Sequence, residues 1–285
     1  TDERDRLARL REPFGARPAR HAVADDNSCI PHTTIVARED WSGVNRTESN
    51  LKRSAKVCPR AAGPVGPYPP GMATILIPVP DHDSDVTEVA VPWKLLRRAG
   101  HQVCFATERA GTVPACDPLL LRGVLFGKLG AEPEPKAFHG EMIASPEWND
   151  TVAWGDLDPT TFDGLILPGG HAPGMRQYLG SASLQSAVAR FWELGRPVGA
   201  ICHGVLVLAR ARLPDGHSPL FGRRTTCLPG YMERAAYFTT AWKLGRYYRT
   251  YPAYVEDEVR EALADPAQFQ CGPRTLMHRD TAAAP

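Results

Sequence analysis

The chain has 285 residues, of which 43% are hydrophobic and 23% charged, with a formal net charge of +1. These are globular proportions, and a near-neutral charge gives no electrostatic reason to expect nucleic acid or an anionic membrane as partner. No apolar run approaches the roughly 18 residues of a membrane-spanning helix, and the charged N-terminus (Asp2, Glu3, Arg4, Asp5, Arg6) has no apolar core behind it like that of a secretory signal.

Residues 1–71 read as a disordered or irregular extension. They are rich in Arg and Pro, show no sustained period, and end in a Pro- and Gly-rich linker at 59–71, with a weak helix expected at 5–12. Asn45-Arg46-Thr47 matches a glycosylation acceptor, a triplet common by chance. Seven scattered cysteines, with no CxxC pair and no zinc-like spacing, fit a reduced, cytoplasmic setting.

A folded domain is expected over 72–285. Ala73 to Val79 is a short apolar run suited to a strand buried on both faces. The loop Asp81-His82-Asp83-Ser84-Asp85 follows, and then a helix over 88–99 with Gly100 as its stop. Residues 102–106 form the next strand, so the unit is βαβ and the sheet parallel. Residues 112–159 are rich in Pro, Gly and charge and read as an insertion over the carboxyl ends of the strands, with short helical pieces. Further along come a strand at 162–168 closed by Gly169-Gly170, a helix at 184–194, a strand at 197–201 and a helix at 205–212. A helical tail runs over 232–263, broken around Tyr251-Pro252. The fold class is therefore α/β, with a mostly parallel sheet.

Ala200-Ile201-Cys202-His203-Gly204 is the most informative segment. An apolar strand runs into a nucleophile, a helix follows at once, and the positions two before and two after Cys202 are small. That is the pattern of a nucleophile elbow, whose tight turn leaves no room for large neighbours. It projects Cys202 above the strand ends, where a helix N-terminus is expected to favour the thiolate. The amide of His203, and a second donor from Gly169-Gly170, would face an oxyanion beside the sulfur. The alternative for Cys202 is a buried structural cysteine.

Three segments resemble the ThiJ/PfpI superfamily in order and spacing: 87–100, Leu167-Pro168-Gly169-Gly170-His171, and Ala200 to Gly204. The resemblance covers roughly 72–275. It implies a flavodoxin-like fold, a doubly wound and mostly parallel sheet with helices on both faces, related to class I glutamine amidotransferase domains, in a superfamily of glyoxalase III enzymes, proposed deglycases, cysteine peptidases and stress chaperones. By the resemblance Cys202 is the nucleophile, Glu88 the acid beside it, and His203 the catalytic histidine of the Cys-His branches. Glu233 would orient His203, with Asp215 the weaker alternative, and Gly169, Gly170 and His171 would line the pocket. Family members usually add a strand and helix after the segment matching Gly272-Pro273, whereas this sequence stops at Pro285, so the sheet edge would be missing or rebuilt by the N-terminal segment.

No cofactor and no metal are expected. A metal at Asp81, His82, Asp83 and Asp85 is the minor alternative to a capping-rich loop. Gly111, Gly127 and Gly130 form no phosphate-binding signature. Trp148 and Trp154 either wall the pocket or cover the core. The partner expected is a small carbonyl substrate, converted as methylglyoxal is to lactate, with a homodimer among the assemblies the resemblance allows. A Cys202-His203-Glu233 peptidase or amidase and a chaperone or cysteine redox sensor are the alternatives.

Overall fold

A computed structural model describes residues 71–271 together with the backbones of Ile35–Arg38 and His278–Asp280. The expected helix at 5–12, the Asn45 triplet, nearly all of the linker and Gly272-Pro273 lie outside the described residues. Strand β1 is Ile35–Arg38, and β2 is Thr74–Pro78. A short β3 at His82–Ser84 leads into helix α1, Val86–Arg98. Asp85 starts α1 by accepting from the amides of Thr87 and Glu88, and Gly100, at φ +85°, leads the chain out of its end.

Strand β4 spans Gln102–Thr107 and β5 Ala115–Cys116. The insertion then holds α2 (Pro118–Arg122), α3 (Pro133–Ile143), α4 (Pro146–Asn149) and a two-residue strand, β6 (Val152–Ala153). Strand β7 (Gly164–Leu167), α5 (Met175–Leu179), α6 (Ala182–Glu193) and β8 (Val198–Ile201) complete the parallel core. Helices α7 (Val205–Arg210), α8 (Gly230–Leu244) and α9 (Val255–Glu261) and strand β9 (His278–Asp280) follow.

The sheet order is β6-β4-β2-β7-β8-β1-β9, and β4, β2, β7 and β8 are parallel neighbours. Four residues of the N-terminal extension add β1 antiparallel to β8, pairing Ile35 with Ile201. Strand β9 then pairs parallel to β1. Strands β3 and β5 make a separate two-stranded sheet.

Alternation along the strands divides the core into two layers. Ile75, Ile77, Val103 and Phe105 pack with Val89, Ala90 and Trp93 of α1 and with Phe138 and Met142 of α3. Leu76, Cys104, Leu165, Leu167 and Ala200 face the other way, onto Leu184, Val188 and Phe191 of α6 and onto α7 and α9. Trp148 meets Phe105 edge-on at 4.8 Å, and Trp154 donates to the Ala106 carbonyl at 3.0 Å, so both tryptophans cover the core.

The insertion does two things. Around Leu119 and Val124 it packs on Ala172 and Tyr248 beyond the carboxyl end of β7, as expected. Its helices α3 and α4 instead cover a sheet face, and β6 extends the sheet edge. The connections out of β2 and β7, adjacent strands, run to opposite faces of the sheet, α1 on one and α6 on the other. That divergence opens a crevice at the carboxyl ends.

Candidate active site

Three segments meet at that crevice. Strand β8 ends at Ile201 in extended geometry, and the next residue, Cys202, has φ +51°, uncommon for a residue with a side chain. A 3₁₀ turn, Cys202–Gly204, then leads into the six-residue α7. The turn is as tight as the small flanking residues imply. A Cβ on Gly204 would lie 2.1 Å from the Leu167 carbonyl oxygen, and one on Gly169 would lie 2.7 Å from the His203 nitrogen. The ends of β7 and β8 are thus in backbone contact.

Glu88, in the first turn of α1, is buried, and its Oε2 accepts from the Gly169 amide at 2.7 Å. That bond occupies one of the two amides of the Gly169-Gly170 turn, so Gly169 holds the acid. Gly170 lies against Asp83 and Met175, where its own Cβ would be about 3 Å from the Asp83 oxygen. Oε1 of Glu88 is buried and completes no hydrogen bond of good geometry, while the carboxyl interacts with the Cys202 thiol. Burial is the main reason this carboxyl is held well above the usual carboxylate range, with the nearby Asp85 adding to the rise.

Cys202 is only 1% exposed. The expected accessible thiolate is therefore corrected to a sealed, neutral thiol. Burial raises its pKa most, the negative fields of Glu88 and Asp85 add to that, and the amide of His203 opposes it only in part. Leu228 packs in one buried cluster with Ile201 and Cys202, and Met232 packs against it.

Two imidazoles flank the sulfur. His203 Nδ1 lies 3.4 Å and His171 Nε2 3.5 Å from Sγ, with the rings edge to face at 4.6 Å. His203 thus turns back to the thiol, as expected. His171, expected only to line the pocket, stands equally close to the reactive atom. These three side chains are also the described residues whose metal-ligating atoms converge, all within 4.8 Å of one another. The Asp81–Asp85 loop does not converge in that way: Asp81 accepts from Gln177, Asp83 from the Gly174 amide, and Asp85 caps α1.

Glu233, on α8, brings Oε1 to 4.0 Å from His203 Nε2, beyond hydrogen-bonding distance. The same oxygen accepts from Arg249 at 3.0 Å, and Oε2 accepts from the Val255 amide at 3.0 Å. Burial still raises the carboxyl overall, outweighing both donors and the Arg249 charge. Asp215 lies on an exposed turn, where it accepts from the His217 amide. Arg249 is the residue that sequence reasoning missed. Its guanidinium sits 3.6 Å from the Tyr254 ring and bonds the Pro252 carbonyl. The signal was the aromatic run Tyr247-Tyr248-Arg249-Thr250-Tyr251. There Tyr248 meets the His171 ring edge-on, and Thr250 donates to the His171 carbonyl.

A family model described as ThiJ/PfpI family-like matches residues 79–273, which include every element of this site. The chain belongs to the ThiJ/PfpI family. An uncharacterised protein of Schizosaccharomyces pombe is 31% identical over 61% of this chain and 66% of its own length. A deglycase of Pyrococcus abyssi is 33% identical over 56% of this chain and 74% of that one. The structure of glyoxalase III from Candida albicans superposes with a TM-score of 0.52 at 20% identity, covering 70% of this chain and 83% of that one, which shows the shared fold. The matches span only part of this ThiJ/PfpI chain. Among its described residues no helix is long and apolar enough to cross a membrane.

Proposed function

We propose that this chain is a cysteine-dependent enzyme acting on small reactive carbonyl compounds. The observation that carries the reading is a thiol on a strained elbow with a carboxyl and two imidazoles around it: Cys202, Glu88, His171 and His203. The name of the deglycase relative supports the same class of substrate.

Because the thiol rests neutral, attack is coupled to proton transfer. An imidazole takes the Cys202 proton as sulfur bonds to the aldehyde carbon, and the carbonyl oxygen collects a proton to give a hemithioacetal. With methylglyoxal, a base then removes the proton on that carbon, and the neighbouring carbonyl oxygen is protonated. Reprotonation of the second carbon, with loss of the proton from the first carbon's hydroxyl, leaves a thioester of lactate, and water releases the acid and restores the thiol. The neutral Glu88 is placed to shuttle these protons. Arg249 fixes Glu233 behind His203.

The reading predicts that Cys202→Ala loses methylglyoxal turnover to the uncatalysed rate and that Glu88→Gln loses on the order of 10²-fold. Steady-state assays on folded variants check both. Equal turnover by the parent and Cys202→Ala sinks the proposal. The line from Cys202 through His203 to Glu233 favours amide hydrolysis as a second reading. An acyl group on Cys202 after incubation with an activated amide would support it.

A further inference from the structure

We propose that His171, Cys202 and His203 form a binding site for a borderline-soft divalent metal ion of the zinc type, which would hold the thiol out of reach of other partners. Sγ lies 3.5 Å from His171 Nε2 and 3.4 Å from His203 Nδ1, and each ring turns that nitrogen toward the sulfur. Tetrahedral zinc, with a sulfur bond of about 2.3 Å and nitrogen bonds of about 2.0–2.1 Å, sets sulfur–nitrogen separations of about 3.5–3.6 Å. Both sulfur–nitrogen separations stand at ligand spacing and all three atoms lie inside 4.8 Å, and the two rings close toward the roughly 3.3 Å that separates nitrogens on a tetrahedral ion when the metal binds.

The donor set is one thiolate and two imidazoles, which suits zinc and cobalt and disfavours magnesium and calcium. On binding, a metal–sulfur bond replaces the S–H bond, the proton leaves to solvent, and no oxidation state changes. Glu233, 4.0 Å behind His203 Nε2, supplies a carboxylate beyond the ligand ring, and Arg249 and the Val255 amide anchor it. Such outer carboxylates orient metal-bound imidazoles. The inference stands on donor geometry rather than on the carbonyl reaction, so binding is read without any substrate.

The test is titration of the reduced, chelator-stripped full chain with cobalt(II), followed by the thiolate-to-cobalt charge-transfer band and by displacement with zinc. The expected result is one equivalent per chain, with the band lost in Cys202→Ser. Affinity should be at least about tenfold weaker in His171→Asn and His203→Asn, and roughly tenfold weaker in Glu233→Gln. X-ray absorption at the zinc edge of the unmutated chain should give one sulfur and two imidazole nitrogens, a measurement that does not depend on any variant folding. No saturable binding overturns the proposal. So does cobalt bound without the band, a band that survives Cys202→Ser, histidine variants that bind as tightly as the parent, or a zinc shell without sulfur.

Discussion

Around Cys202 the charges are arranged by depth. Asp85 accepts from the Thr87 amide at 2.7 Å and the Glu88 amide at 3.0 Å, yet burial lifts its carboxyl from 3.8 to about 6, with Asp117 contributing. A carboxyl that holds its proton more tightly when folded favours folding below pH 3.8, and loses that contribution as pH rises from 3.8 to about 6. The residue as a whole is only partly buried, which tempers the effect. Asp85→Asn keeps a capping acceptor and removes the charge. It should therefore be more stable than the parent by roughly 1–2 kcal/mol at about pH 8 and equal at about pH 3. Urea denaturation at both values checks this, and a loss of stability at the higher pH would show that the charge helps α1 more than its burial costs. The reactive role of Cys202 was proposed from local sequence, because an elbow is encoded over a few residues, whereas those of Glu88 and His203 came with the ThiJ/PfpI resemblance. The neutral state of the thiol was not legible, because it depends on Leu228, Asp85 and Glu88, which are distant in sequence and adjacent only once folded.

At the level of elements, the close approach of β7 and β8 is what makes the elbow. Gly204→Ala would drive a Cβ to 2.1 Å from a backbone oxygen that cannot move independently of β7. The expected outcome is a loss of about 3 kcal/mol or more, read as a lowered melting temperature, together with impaired turnover. Unchanged stability would mean that the turn is looser than described. Strands β2, β4, β7 and β8 were readable from apolar runs with Gly or Pro at their ends. Helix α3 was less so. Its buried residues, Pro135, Phe138, His139 and Met142, have helical spacing, but two prolines and a histidine among its positions obscure the apolar face. The two-residue β6 has no periodicity to read, and β1 joins through backbone pairing that its own sequence does not announce.

For the molecule as a whole, segments far along the chain gather around the buried Cys202: Leu228 packs in its cluster, Met232 of α8 packs against it, and Thr250 bonds the carbonyl of His171, whose ring flanks the sulfur. Among the described cysteines, Cys271 is exposed and Cys202 buried. Peptide mapping during iodoacetamide treatment should find Cys271 alkylated well before Cys202, whereas early labelling of Cys202 would contradict a closed resting site. The α/β class followed from the order of elements alone, while the lock of Arg249 on Glu233 required the tail to fold back on the elbow. The central claim is that Cys202 bonds to a carbonyl carbon, and the most direct test is a carbon-13 NMR spectrum of the protein with methylglyoxal labelled at the aldehyde carbon. A protein-bound resonance of a sulfur-substituted carbon should appear with the parent chain and be missing with Cys202→Ala. The same resonance in both proteins, or in neither, would contradict it.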